Sequence, residues 1–97
     1  MPEFYVYILK CRDGSYYTGH TDNIEKRLSE HYLGIMPCYT KKRRPLKIVF
    51  MQIFASRYAA LVAEQQIKKW CRSKKEALIA QDWSLLSQLA SRSIKKL

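Results

Sequence analysis

The alternation of apolar and polar positions along the chain predicts three β-strands. Residues 4–11 are rich in β-branched and aromatic side chains, which favour a strand. The Arg-Asp-Gly-Ser sequence at 12–15 predicts a hairpin turn, and a return strand is expected over residues 16–20. Residues 46–54 (LKIVFMQIF) are almost entirely apolar, so they predict a third, buried strand.

The first helix is expected between the second and third strands. Asp22 followed by Glu25 fits a capping box that opens a helix over residues 23–33, and Gly34 ends it. A 3.6-residue period places two polar side chains on the stripe of this helix that should be buried. These are Arg27 and His31, which share the stripe with Ile24 and Leu28.

Capping residues also predict the later helices. Ser56 is expected to cap a second helix that runs through Trp70, and Ser73 is expected to cap a third. A short last helix would begin at Asp82 or Ser84. The order β-β-α-β-α-α, with no linker-like stretch and no internal repeat, predicts one α/β domain.

The apolar stripe of the second helix contains one carboxylate. Glu64 falls in the middle of a stripe formed by Ala60, Leu61, Ile67 and Cys71. A carboxylate in such a position must be ion-paired, bound to a metal, or open to a cleft. The other acidic residues serve the turn or the helix cap, face outward, or lie near the ends of the chain. Glu64 is therefore the candidate oxygen ligand for Mg²⁺, with a structural salt bridge as the alternative.

The hairpin turn leaves two registers open, and the registers place the tyrosines differently. A two-residue loop, Asp13-Gly14, would place Tyr7 and Tyr17 on opposite faces of the sheet. A three-residue loop with Gly14 in the left-handed conformation would place Tyr7 opposite Gly19, with both phenols on one face. The sequence permits either register, and a site shared by the two tyrosines would require the second.

Charge is the compositional feature that bears most on function. Of 97 residues, 18 are Lys or Arg and 8 are Asp or Glu, which gives a net charge of +10. So large a positive charge on a small domain favours a nucleic-acid partner, because phosphate contacts release counterions. The segment 40–47 (TKKRRPLK), within the basic loop predicted to begin at residue 36, is expected to bind the phosphate backbone.

Composition also excludes several classes of protein. Hydrophobic residues make up 47% of the chain, which is enough for a core. The early apolar run at 4–9 is too short for a signal peptide or a bilayer span, so we expect a soluble, cytoplasmic protein without a membrane partner. The three cysteines contain no CxxC pair, so we expect reduced thiols rather than disulfides or a zinc site.

Five sequence fragments follow one another along the chain: "VYIL" at 6–9, "DGSYYTG" at 13–19, "RLSEH" at 27–31, "YTKKRRP" at 39–45 and "ALVAEQQIK" at 60–68. In this order and spacing they resemble the GIY-YIG nuclease family. The resemblance extends from about residue 4 to residue 79 and is closest to the small stand-alone bacterial members. It implies a small three-stranded antiparallel sheet flanked by helices. The whole chain, 1–97, would be one such domain, with a core at about 4–80 and a helical extension over 81–97.

The resemblance also implies a role for each motif residue. Tyr7 and Tyr17 would border the site, and one of them would help to deprotonate the attacking water. Arg27 would steady the scissile phosphate beside His31, and Glu64 would bind Mg²⁺ or Mn²⁺. We expect these five side chains to converge on one concave face. Nucleic acid, DNA in preference to RNA, would also contact Gly19, His20, Lys41, Lys42, Arg43, Arg44 and Lys68.

Three functions are consistent with these features. The first is a divalent-metal-dependent endonuclease acting on DNA, in repair or in the processing of branched or damaged strands. The second is a nucleic-acid-binding module that keeps the fold but does not cleave. The third is a small basic protein that docks on an acidic protein or on ribosomal RNA, which would require no metal.

Overall fold

A computed structural model describes the fold over residues 3–34 and 41–95, except for the side chains of residues 41 and 90–95. The predicted order of strands and helices is confirmed. The elements are β1 (Phe4–Lys10), β2 (Tyr16–Thr21), α1 (Ile24–Leu33), β3 (Lys47–Phe54), α2 (Arg57–Lys69), α3 (Arg72–Ile79) and α4 (Trp83–Lys95). The first part of the predicted basic loop, 36–40, lies outside the described residues, and Lys41–Arg43 form one 3₁₀ turn.

The strands form one antiparallel sheet in the order β2-β1-β3, which confirms the expected architecture. β1 is the central strand, and its residues Val6, Ile8 and Leu9 are completely buried. A central strand must bury both of its faces, so its near-continuous apolar sequence is what the position requires. The register with β3 shifts by one residue between Ile8 and Leu9, which marks a bulge.

The β1–β2 hairpin adopts the three-residue loop. Gly14 has a φ of +86° and its N–H donates to the carbonyl of Cys11 at 2.9 Å, while the Cys11 N–H donates to Ser15 at 2.8 Å. A positive φ is strained for other residues, so glycine suits this position. Tyr7 consequently pairs with Gly19, and the register that places both phenols on one face is confirmed.

The two faces of the sheet are covered by different helices. On one face, Val6 and Ile8 pack with Ala60 and Ile67 of α2, and Leu78 of α3 completes this apolar core. On the other face, α1 buries its polar residue His31 against Tyr7, whose side chain alternates with those of Val6 and Ile8 along β1. Around these residues the sheet is therefore apolar toward α2 and polar toward α1, with Glu64 as a buried polar residue of α2.

The caps of α1 and α2 agree with prediction in part. The capping box of Asp22 and Glu25 is wrong, because Asn23 Oδ1 accepts the Lys26 N–H at 3.1 Å and the Asp22 carboxylate lies 3.5 Å from Arg57 instead. Gly34, with a φ of +70°, ends α1 as predicted. The predicted cap of α2 is confirmed, since Ser56 Oγ accepts the Ala59 N–H at 3.1 Å.

The last two helices also begin differently from the prediction. Ser73 does not cap α3. This helix begins at Arg72, so Cys71 occupies the N-cap position, and its side chain makes no capping hydrogen bond. Cys71 is exposed beyond the end of α2, so it does not belong to the apolar stripe of α2. Asp82 Oδ1 does cap α4 by accepting the Leu85 N–H at 3.1 Å, but α4 has 13 residues and is not short. In the part of the chain that the structure describes, none of the helices is long and apolar enough to cross a membrane.

Candidate active site

Three aromatic rings meet on the α1 side of the sheet, and we call them the phenol–imidazole cluster: Tyr7, Tyr17 and His31. Tyr7 is 1% exposed and His31 is completely buried, and Tyr7 Oη lies 3.0 Å from His31 Nε2. The ring of Tyr17 is half-buried, with its centroid 6.4 Å from that of Tyr7 and 5.1 Å from that of His31. The buried hydroxyl and imidazole therefore satisfy each other, as buried polar groups must.

The hairpin register and one glycine make this cluster possible. Tyr7 lies opposite Gly19 and Tyr17 lies opposite Leu9, so both rings rise from the same face. A Cβ at position 19 would lie 2.6 Å from Tyr7 Oη and 2.7 Å from its Cζ, closer than real Cβ contacts come. The missing side chain of Gly19 is thus the space that the Tyr7 phenol occupies.

The environment of His31 keeps its imidazole neutral. Burial lowers the pKa of His31 first, and the positive charge of Arg27 one turn earlier lowers it further, while Glu30 acts in the opposite direction. A neutral imidazole has one nitrogen that accepts a hydrogen bond. In the tautomer with Nε2 unprotonated, the Tyr7 hydroxyl donates a hydrogen bond to His31 Nε2.

Arg27 lies at the edge of this cluster. The predicted stripe of α1 is borne out: His31 is buried, whereas Ile24, Arg27 and Leu28 are half-buried. The Arg27 Nε lies 3.8 Å from Glu30 Oε1, a loose ion pair on the same helix. Its side chain also lines a cavity of about 240 Å³ at the start of α1. The guanidinium is therefore accessible to an anion from solvent.

Glu64 lies on α2, on the opposite side of the sheet from the cluster. It is 7% exposed, and each of its oxygens faces a nitrogen of a basic side chain: Oε1 is 3.1 Å from Lys68 Nζ and Oε2 is 3.2 Å from His20 Nδ1. The His20 contact is electrostatic rather than an aligned hydrogen bond, so it acts as an ion pair when the imidazole is protonated. Lys68 is half-exposed, so its ammonium is the more easily displaced of the two.

The five motif residues therefore do not share one face as expected. Because side chains alternate along β2, Tyr17 and His20 point to opposite sides of that strand. Four of the five residues form the phenol–imidazole cluster or its edge on the α1 side, and Glu64 forms a second group with His20 and Lys68. The two groups meet at the outer edge of β2, where Tyr17 and Lys68 line a common cavity.

The donor set at Glu64 suits a hard cation that keeps most of its water. Within residues 3–34 and 41–95, no three His, Cys, Asp or Glu side chains come together as a metal cage. Mg²⁺ and Mn²⁺ bind through one or two carboxylates, with waters and substrate phosphate completing the shell. A single carboxylate at the edge of a phosphate-binding surface fits that requirement.

Two of the basic residues that follow α1, Arg43 and Arg44, make contacts within the protein. Arg43 Nε donates to Asp13 Oδ2 at 3.1 Å, and the Arg43 carbonyl accepts the Arg12 N–H at 2.9 Å, so this residue ties the segment to the hairpin. Arg44 Nη1 lies 3.5 Å from the carbonyl of Tyr32 at the end of α1. Lys42 is exposed, and the Lys41 side chain lies outside the described part of the structure. Lys42 is thus the best candidate phosphate contact in this segment.

Sequence reasoning did not single out Thr18, which lies between Tyr17 and Gly19. Its side chain is 3% exposed, and its Oγ1 has no hydrogen-bond partner among the described residues. The only signal in the sequence is its place inside the "YTG" motif, where a hydroxyl is not distinguished from an ordinary strand-forming threonine. A buried hydroxyl without a hydrogen-bond partner costs free energy, so the burial of the Thr18 hydroxyl calls for an explanation.

Comparison with known proteins agrees with this fold, which is that of a catalytic domain of the GIY-YIG type. The model of the GIY-YIG catalytic domain matches residues 3–77, and the chain belongs to this family.

Its relatives include small proteins of similar length. The chain is 44% identical over 81 residues to UPF0213 protein SSP2268 of Staphylococcus saprophyticus, an alignment that covers 84% of this chain and 99% of the relative. It is 49% identical over 83 residues to a UPF0213 protein of Syntrophus aciditrophicus, covering 84% and 95%. The solution NMR structure of protein EF2693 from E. faecalis is 38% identical, with a TM-score of 0.60 over 84% of this chain and 86% of that one.

Proposed function

We propose that the protein is a divalent-metal-dependent endonuclease that hydrolyses phosphodiester bonds in DNA, in the repair or processing of branched or damaged strands. The observation that carries the proposal is the buried hydrogen bond of 3.0 Å between Tyr7 and His31, with Tyr17 packed on both rings. Packing alone would be served by apolar rings at these positions. We therefore assign the Tyr7 hydroxyl and the His31 imidazole a role in the reaction rather than in packing.

Hydrolysis of a phosphodiester needs a base for the attacking water and positive charge beside the phosphate. A phenol keeps its proton at neutral pH, because its free pKa is about 10. The neutral His31 imidazole supplies a base within the cluster, and Tyr7 is fully buried whereas Tyr17 is only half-buried. We therefore assign the contact with water to Tyr17, the positioning of the rings to Tyr7, and the charge beside the phosphate to Arg27.

Glu64 would hold the metal ion, with His20 and Lys68 beside it. When bound, Mg²⁺ or Mn²⁺ would neutralise charge on the phosphate and stabilise the leaving oxygen. The protein's own part is to hold the nearly buried Glu64 carboxylate in place, with Lys68 Nζ 3.1 Å from one oxygen and His20 Nδ1 3.2 Å from the other. Lys68 can turn from the carboxylate toward substrate phosphate, because half of its side chain is exposed.

A nucleic-acid-binding module without cleavage is the second candidate. It is favoured by the same contacts at Glu64, because a carboxylate paired with Lys68 and adjacent to His20 also serves as a structural salt bridge. This reading requires DNA binding that does not depend on metal and no cleavage under any condition.

A cleavage assay separates the two candidates. Single-stranded, nicked, flapped and branched DNA would be incubated with Mg²⁺, with Mn²⁺ or with a chelator. The endonuclease proposal expects metal-dependent cleavage of at least one substrate and a loss of about 10²–10⁴-fold in Tyr17→Phe, the usual contribution of a general base. Binding of these DNAs without cleavage in either metal would reject the endonuclease and leave the binding module.

A further inference from the structure

A cavity of about 310 Å³ lies at the outer edge of β2, on the side covered by α2 and α3. It is lined by Tyr16, Tyr17, Thr18, Lys68 and Lys75. Arg27 lies on α1, which covers the other face of the sheet, so this cavity is separate from the position assigned to the scissile phosphate. The shared wall at Tyr17 keeps the two places adjacent.

Lys75 supplies an unneutralised positive charge to this cavity. Its side chain is half-buried, and burial lowers the pKa of its ammonium. No carboxylate in the described part of the chain pairs with it, whereas Lys68, across the cavity, already contacts Glu64 at 3.1 Å. A partly desolvated ammonium without a counter-charge is unfavourable. An anion in the cavity would remove that penalty.

Thr18 supplies a buried hydroxyl to the same cavity. Its side chain lies on the face of the sheet that α2 and α3 cover, and its Oγ1 is an unsatisfied polar atom within the described residues. A hydroxyl donates readily to an anionic oxygen, and such charge-assisted bonds are stronger than neutral ones. The two independent features, an unpaired cation and an orphaned donor, thus point to one kind of ligand.

We propose that Thr18 and Lys75 bind a second phosphate group of the nucleic-acid strand, next to the phosphate that is cleaved. No carboxylate lines the cavity, so a metal ion does not suit it, and the donors match phosphate oxygens. The inference rests on the proposed function for the identity of the strand. It adds that the enzyme holds its substrate by a flanking phosphate on the α3 side of β2.

The test is a binding measurement in chelator, where no cleavage occurs. A short labelled DNA strand would be made in a series of single methylphosphonate linkages, each of which removes one phosphate charge, and in versions with and without a 5′-phosphate. In the wild type, one position should weaken binding by up to about fivefold, the range of a partly exposed ion pair. In Lys75→Gln, the methylphosphonate at that position should no longer weaken binding, whereas the effects at the other positions should remain.

Two further variants make the test selective. Lys69→Gln removes the same charge from an exposed position that does not line the cavity, so it should keep the position-specific penalty. Thr18→Val should also reduce the penalty at the same position while keeping or raising the melting temperature, because it removes an unsatisfied buried hydroxyl. If Thr18 had only a structural role, replacing it would not change the loss of affinity caused by removing one phosphate charge.

The outcomes also distinguish this inference from the proposed function. If Lys75→Gln abolishes the loss of affinity at an internal methylphosphonate, the ligand is a backbone phosphodiester. If it abolishes only the effect of the 5′-phosphate, the ligand is a terminal phosphate. Either result supports the subsite. An unchanged pattern in Lys75→Gln, with cleavage by the wild type intact, overturns the subsite alone. Failure of the wild type to bind the DNA in chelator overturns the subsite, whereas failure to cleave DNA in either metal overturns the proposed function.

Discussion

The centres of the two faces of the sheet are buried by different kinds of side chain. On the α2 side, Val6, Ile8 and Ala60 are completely buried and apolar. On the α1 side, Tyr7 and His31 are as deeply buried, yet their contact is a hydrogen bond between two polar groups. Burial of apolar surface stabilises the fold directly, whereas a buried hydrogen bond contributes only about 0.5–1.5 kcal/mol net. The apolar core under α2 therefore supplies stability, whereas the candidate site uses buried polar residues on both faces, Tyr7 and His31 on the α1 side and Glu64 on the α2 side.

This division arises in a single strand. Successive side chains of β1 point to opposite faces, so the sequence "VYIL" sends Val6 and Ile8 to the apolar core and Tyr7 to the cluster. A substitution at one of these neighbouring positions should therefore affect either stability or activity, depending on which face it lies on.

Ile8→Ala should give the largest change in stability. The side chain is completely buried in the apolar core, and truncation of a buried isoleucine to alanine costs about 2–5 kcal/mol. Chemical denaturation would measure this loss, and cleavage would be measured per folded molecule. If the comparison of the two faces is correct, the folded fraction keeps its activity. A stable variant that no longer cleaves would contradict it.

Gly19→Ala should do the opposite, with a smaller loss of stability and a large loss of activity. The added methyl would overlap the Tyr7 phenol, and such overpacking typically costs about 1–3 kcal/mol. The displaced ring would lose its hydrogen bond to His31, so cleavage should fall in the molecules that remain folded.

Gly14→Ala is the matched control for Gly19→Ala. The same methyl is added, but nothing lies within 4 Å of it, and the cost of about 1–2 kcal/mol comes from the positive φ alone. This variant should lose stability and keep its activity per folded molecule. Equal losses of activity in both glycine variants would show that the hairpin, rather than the cluster, is what cleavage requires.

Turn chemistry and side-chain alternation predicted the fold well. Local rules limited the hairpin to two registers, and the structure has the one with the Arg-Asp-Gly loop, a left-handed Gly14 and Tyr7 paired with Gly19. The helix starts were harder, because Asp22 and Asn23 are both good caps and only the path of the chain after β2 selects the second.

The partners of the candidate site could not be predicted in the same way. Glu64 was recognised as a carboxylate in an apolar stripe, but its contact with His20 depends on how α2 packs against β2, elements distant in sequence. Similarly, the run of Lys and Arg after residue 40 gave no reason to separate Arg43, which pairs with Asp13, from the exposed Lys42. Long-range packing decides both cases.

The pH dependence of stability should differ between wild type and His31→Gln. Because the pKa of His31 is lowered in the folded protein, the unfolded chain binds a proton more readily. The contribution of His31 to stability is therefore present above its unfolded pKa of about 6.5 and is lost as the pH falls below that value, by at most about 1.4 kcal/mol per pH unit. Urea unfolding across this range should show a steeper acid loss in wild type. Parallel curves would mean that His31 is not held neutral.

Neutralising Lys42 should give the smallest effect. Lys42→Gln should lower the slope of log affinity against log salt by about 0.9 for duplex DNA, the value for one lost phosphate contact, without changing stability. Arg43→Gln is the comparison, because it also breaks the 3.1 Å contact with Asp13 that ties the segment to the hairpin. An unchanged slope in Lys42→Gln would place the nucleic acid away from this segment.

Glu64→Gln, measured for stability and for cleavage, tests the central claim most directly. The substitution keeps the shape of the side chain and removes the charge that would attract a divalent cation. The account predicts a protein with a melting temperature and DNA affinity close to those of wild type that has lost metal-dependent cleavage. A protein that melts far earlier, while its folded fraction still cuts DNA in Mg²⁺, would contradict the account and show that Glu64 is a salt bridge to His20 and Lys68 rather than part of an active site.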